Sequence, residues 1–258
     1  FQLSPDGRRL AITVGSSNAV IWIYDLERGT RRLLTTDGPG FIPTWSPDGT
    51  RVAFARPGEA REVLARTVGS ASPAEMLLSA ATEVSPYAWH QEAGLLVSRF
   101  GNLTDIGRLD PAEAPVDVEQ VEWLLATPAS EWGPDISPDG RWMAYTSDES
   151  GRYEIYVRSL TGNDRSWPVS IDGGEEPQWS PDGRALFFRN GSRFLRTPIL
   201  EASEDGRRFR AGRPEVYVEG PYSNVPGLSY DVSPDGRRLL LLRSDGGTER
   251  ARHLNVVL

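Results

Sequence analysis

The tetrapeptide Ser-Pro-Asp-Gly occurs five times in this 258-residue chain, starting at Ser4, Ser46, Ser137, Ser180 and Ser233. No other feature restricts the fold as much. Each copy follows an apolar residue (Leu3, Trp45, Ile136, Trp179, Val232) and leads within a few residues into an apolar run, so each reads as a tight turn between two strands. Pro presets φ, Asp bonds nearby backbone N–H groups, and Gly accepts a positive φ without a Cβ clash. Successive starts lie 42, 91, 43 and 53 residues apart. The 91-residue interval is about twice the usual step, and a degenerate copy stands near its middle: Trp89-His90-Gln91-Glu92-Ala93-Gly94, followed by Leu95-Leu96-Val97. The chain therefore reads as six repeats of about 43 residues.

Within each repeat the turn is followed by a second apolar strand, a polar loop, a third strand such as 21–24 or 154–157, and a fourth. Fourth strands are expected near 32–35, 75–78, 122–126, 166–170 and 215–219. Four short strands per repeat of about 40–45 residues predict a propeller blade. The expectation is one all-β domain over 1–258: a six-bladed β-propeller of four-stranded antiparallel blades, bounded at about 1–36, 37–79, 80–126, 127–170, 171–220 and 221–258. The last repeat offers strands only at 229–232, 238–242 and 253–258. Its outer strand is expected from sequence flanking this chain, as in a piece of something longer.

The apolar-Ser-Pro-Asp-Gly turn with its following apolar strand resembles the WD40-like repeat of TolB-type β-propellers, over essentially the whole chain. The stretch 173–189, which begins Gly173-Gly174-Glu175-Glu176-Pro177, together with the ending Arg252-His253-Leu254-Asn255-Val256-Val257-Leu258, resembles the C-terminal propeller of large bacterial Ser/Thr kinases. The non-catalytic propellers of prolyl-oligopeptidase-type peptidases are a third likeness. These resemblances imply a bacterial sensor or interaction domain, a cell-envelope protein docking a partner on its ring face, or a gating propeller. They favour a periplasmic or extracytoplasmic location.

Composition narrows the chemistry. There is no Cys, so no disulfide and no thiolate site, and the net charge of −8 argues against a general nucleic-acid role. No run approaches the roughly 18 apolar residues of a membrane helix, so direct membrane insertion is not expected. The two His residues, His90 and His253, stand far apart in sequence, and no Gly-x-Ser-x-Gly elbow, metal-binding pattern or phosphate loop accompanies them. No catalytic residue, metal or cofactor is expected, and this chain reads as non-enzymatic. The five turn Asp residues read as turn architecture.

What remains is binding. In a propeller, the loops entering the inner strands and the ends of the second strands build one face. The entry loops here carry Phe41, Tyr87, Trp132, Tyr222 and Tyr230, of which at least half are expected to pack between blades. Four of the six second strands end in Arg: Arg56, Arg99, Arg189 and Arg243. All 28 basic residues are Arg. Guanidinium groups converging at one position would hold an acidic peptide, protein or small carboxylate ligand. The competing expectation is that each simply pairs with a loop carboxylate.

Overall fold

The computed structural model describes residues 1–16, 18–161 and 164–243. Among them, five blades stand in chain order. The first is built from Gln2–Leu3, Arg9–Val14, Val20–Asp25 and Thr30–Leu33. The second holds Phe41–Trp45, Arg51–Arg56, Arg61–Thr67 and Glu75–Ala80, the third Glu83–His90, Gly94–Phe100, Thr104–Leu109 and Glu122–Leu125. The fourth holds Glu131–Ile136, Trp142–Ser147, Glu154–Ser159 and Ser166–Pro168, the fifth Glu175–Trp179, Ala185–Asn190, Arg193–Ala202 and Glu215–Glu219. Each is an antiparallel meander, so consecutive strands need only tight turns.

The six-bladed expectation is corrected to five. Among the described residues the last repeat forms a two-stranded sheet, Tyr230–Val232 with Leu239–Leu241. The expected strand at 253–258 lies outside the described residues. The physical reason is that a Ser-Pro-Asp-Gly turn specifies a hairpin and nothing beyond it. Counting turns therefore counts hairpins, not blades. This hairpin wedges between the fifth blade and the first. Tyr230, Val232, Leu239 and Leu241 pack with Phe187 and Phe194, while Leu240 packs with Leu3, Leu10 and Ile12.

The turns repeat their bonds. Ser180 Oγ donates to Asp182 Oδ1 at 2.6 Å and accepts the Ala185 N–H at 2.9 Å; Asp182 Oδ1 also accepts the Arg184 N–H. The same set closes at Ser4, Ser137 and Ser233 and, with Thr50 supplying the N–H to Asp48, at Ser46. A further copy without proline, Ser203-Glu204-Asp205-Gly206, makes it too, at the tip of a hairpin extending the fifth blade to Phe209–Ala211. In the degenerate copy His90 Nδ1 accepts the N–H groups of Glu92 and Ala93, which leaves Nε2 to donate to Pro138 O of the next blade. The long connection in the third blade reaches sideways, and Val116–Asp117 pairs in parallel with Leu78 and Ser79 of the second.

Candidate functional site

Three inner strands share a bulge: Ile42-Pro43, Gly133-Pro134 and Glu176-Pro177, where the register slips. Ile42 (φ 51°), Gly133 (φ 63°) and Glu176 (φ 58°) are left-handed there. For a β-branched residue before proline this conformation is costly and needs its surroundings to hold it. The bulge turns Ile42 against Gly227, where an added Cβ would lie 3.3 Å from its side chain. It also turns Glu176 inward, where its carboxylate accepts the Ser229 N–H at 2.6 Å and the Ser229 hydroxyl at 3.0 Å. Burial pushes the Glu176 carboxyl above its usual range. Segment 220–229 is thus tied across the ring, against the second and fifth blades.

A cavity of about 710 Å³ opens where this segment meets the first three blades. Its wall is largely apolar, with Ile12, Ile42, Val84, Val225 and Leu228, and its polar members include Arg56, Arg61, Glu83, Ser85 and Tyr87. Cavities of about 300–1,000 Å³ with a few placed polar groups are the usual form of a ligand site.

The nine residues singled out from sequence are distributed as follows. Phe41, Tyr87 and Arg56 line the cavity. Arg56 is ion-paired with Asp37 at 3.1 Å. Arg99 lies 4.0 Å over the Trp123 ring and donates from Nε and Nη2 to one oxygen of Asp105, Oδ2. Arg189 reaches Glu176 at 3.5 Å and Ser229 at 3.1 Å. Arg243 is exposed and bridges to Tyr222. Trp132 packs edge-on against Tyr153, and Tyr222 against Phe194. Tyr230 is fully buried, its hydroxyl donating to Glu176 O at 2.7 Å; burial lifts its ionisation well above the ordinary tyrosine range. The cavity therefore gathers three of the nine. Ile42, Arg61 and Ser85 were missed; of these only Ile42, a β-branched residue before proline at a bulge position, left any signal.

A second feature escaped the sequence reading. At four of the five turns the residue two places before the serine bonds across the seam to the next unit. Gln2 Oε1 accepts the Trp45 N–H (2.7 Å), Asp135 Oδ2 the Trp179 N–H (2.7 Å), Gln178 Oε1 the Val232 N–H (3.2 Å) and Asp231 Oδ2 the Leu3 N–H (2.5 Å). Burial raises Asp135 and Asp231 to about 7. Among the described residues no cluster of His, Asp or Glu could hold a metal ion, and no helix is long and apolar enough to cross a membrane.

The fold and this cavity define a β-propeller with a concave site on one face. No family model matches the chain. Its sequence is similar to the Tol-Pal system protein TolB of Alcanivorax borkumensis, 28% identical over 167 residues, covering 61% of this chain and 38% of that protein. An uncharacterised protein of Agrobacterium fabrum is 22% identical over 196 residues, covering 70% and 66%. The chain thus spans less than two thirds of either relative. Among solved structures it superposes on a TolB from Acinetobacter baumannii (TM-score 0.60, 23% identity, 83% of this chain and 53% of that one) and on a putative TolB from Agrobacterium tumefaciens (TM-score 0.67, 17%, 92% and 86%). These likenesses support the resemblance to TolB-type propellers.

Proposed function

We propose that this chain is a non-catalytic binding propeller that docks a partner protein on the face carrying the cavity. The cavity carries this reading: an apolar hollow with a few unpaired polar groups, held open by a strained bulge and a tied segment. The resemblance to TolB supports docking in a cell envelope. A narrower form, the sensor domain of a membrane-bound Ser/Thr kinase, rests on the stretch 173–189 and the ending 252–258, and the flanking sequence of the full protein tests it. In either form Phe41, Tyr87 and Arg56 belong to the contact surface, and Arg99, Arg189, Arg243, Trp132, Tyr222 and Tyr230 to its support and surroundings.

The experiment is affinity capture from extract of the source organism with three baits. Wild type and Arg207→Glu, a change on the exposed fifth-blade hairpin, should retain the same partner. Ile42→Arg, which fills the cavity with a charge, should lose at least about 90% of it, because burying an unpaired charge in an apolar contact is costly. Equal capture by all three baits places docking elsewhere.

A further inference from the structure

The polar groups of the cavity narrow its ligand further, and this inference rests on reading the cavity as the docking site. Ser85 is 1% exposed and Tyr87 4% exposed, and both line the cavity. Neither hydroxyl has a hydrogen-bond partner among the described residues. Both residues are buried in the wall while their hydroxyl oxygens open to the hollow, where a ligand with polar groups can bond them in place of solvent. Arg61 supplies the charge. It lines the same cavity, is partly buried, and belongs to no ion pair among the described residues. Its neighbours differ: Arg56 and Arg66 both engage Asp37. Glu83 stands exposed on the lining, also unpaired. It repels a polyanion and so favours a ligand with a single carboxylate.

We infer that the cavity binds the free C-terminus of a peptide with apolar terminal residues. Arg61 pairs with the terminal carboxylate through the planar bidentate geometry that guanidinium offers. The hydroxyls of Ser85 and Tyr87 take main-chain amide groups. Ile42, Val225 and Leu228 receive the apolar side chains. A fatty acid would satisfy Arg61 and the apolar wall but would leave both hydroxyls unpaired.

The test is equilibrium selection on the whole chain from a random tetrapeptide library with free C-termini, run beside the same library amidated. The expected result is enrichment of peptides ending in Leu, Ile, Val or Phe, with the free-carboxylate form retained at least about tenfold over the amide. Arg61→Gln should abolish that ratio with its melting curve unchanged, and Tyr87→Phe should weaken binding of both forms. Equal recovery from the two libraries, or enrichment from neither, overturns the proposal. Binding of dodecanoate without peptide enrichment assigns the cavity to a fatty acid and overturns it as well. If Arg61→Gln captures the protein partner as wild type does while Ile42→Arg does not, docking at the cavity stands and the carboxylate assignment falls.

Discussion

The turn serine fills two roles at once, donating to the aspartate and accepting a strand N–H, which is why five copies recur with so little variation. Ser180→Ala leaves the N–H of buried Ala185 without its side-chain acceptor and removes the O–H that holds the Asp182 carboxyl below its usual range. The expected loss is about 1–2 kcal/mol, or several degrees in Tm at this chain length. The sign with pH follows. A depressed carboxyl contributes stability above its unfolded value of about 3.9 and loses it as pH falls through the folded value. Melting curves between pH 2 and pH 6 should therefore show a shallower acid limb in Ser180→Ala than in wild type. These turns were legible because every partner lies within five residues. The seam bonds were not. Their partners lie from 43 to 228 residues away, and the position holds Gln2, Thr44, Ala88, Asp135, Gln178 and Asp231 in turn, which no single motif describes.

Strands were legible as elements for the same reason of locality: the expected fourth strands near 75–78, 122–126 and 215–219 fall on Glu75–Ala80, Glu122–Leu125 and Glu215–Glu219. The sideways pairing of Val116–Asp117 with the second blade was not legible, since two residues carry no periodicity. Neither was the way inner strands join. At the seam between the fourth and fifth blades that joint is Asp135, which accepts the Trp179 N–H while burial raises it to about 7. A carboxyl whose folded value exceeds its unfolded value holds a proton in the folded state. Its contribution therefore falls as pH rises from about 4 to about 7 and is constant above. Asp135→Asn keeps an acceptor and removes the charge. At pH 8 it should raise stability by at least about 1 kcal/mol, a gain that disappears by about pH 4. A variant less stable than wild type at pH 8 would show that the charged carboxylate is the better clamp.

Ring closure is a property of the whole molecule, and here the sequence misleads by its regularity. Five turns and a degenerate sixth suggest six equal blades, yet the last described unit is a hairpin of two three-residue strands. Two strands bury little surface on their own and are marginal in isolation, so the hairpin depends on what grips it. The fifth blade grips it firmly. Gln178 bonds it with both ends of its amide, at Tyr230 O and the Val232 N–H, and Glu176 holds Ser229. Toward the first blade, among the described residues, one polar clamp carries the seam, from the Leu3 N–H to Asp231 Oδ2, backed by Leu240 against Leu10 and Ile12. The ring should therefore open first on the first-blade side. Asp231→Ala cuts that clamp and leaves the fifth-blade contacts in place. In hydrogen exchange, amides of Leu3 and of Arg9–Val14 should exchange at least about tenfold faster than in wild type, the signature of local opening. Those of Ala185–Asn190 should be unchanged. Uniform acceleration across all blades would mean that the seam opens only with global unfolding. Unchanged exchange at Leu3 would mean that the apolar contacts of Leu240 close the ring without the carboxylate.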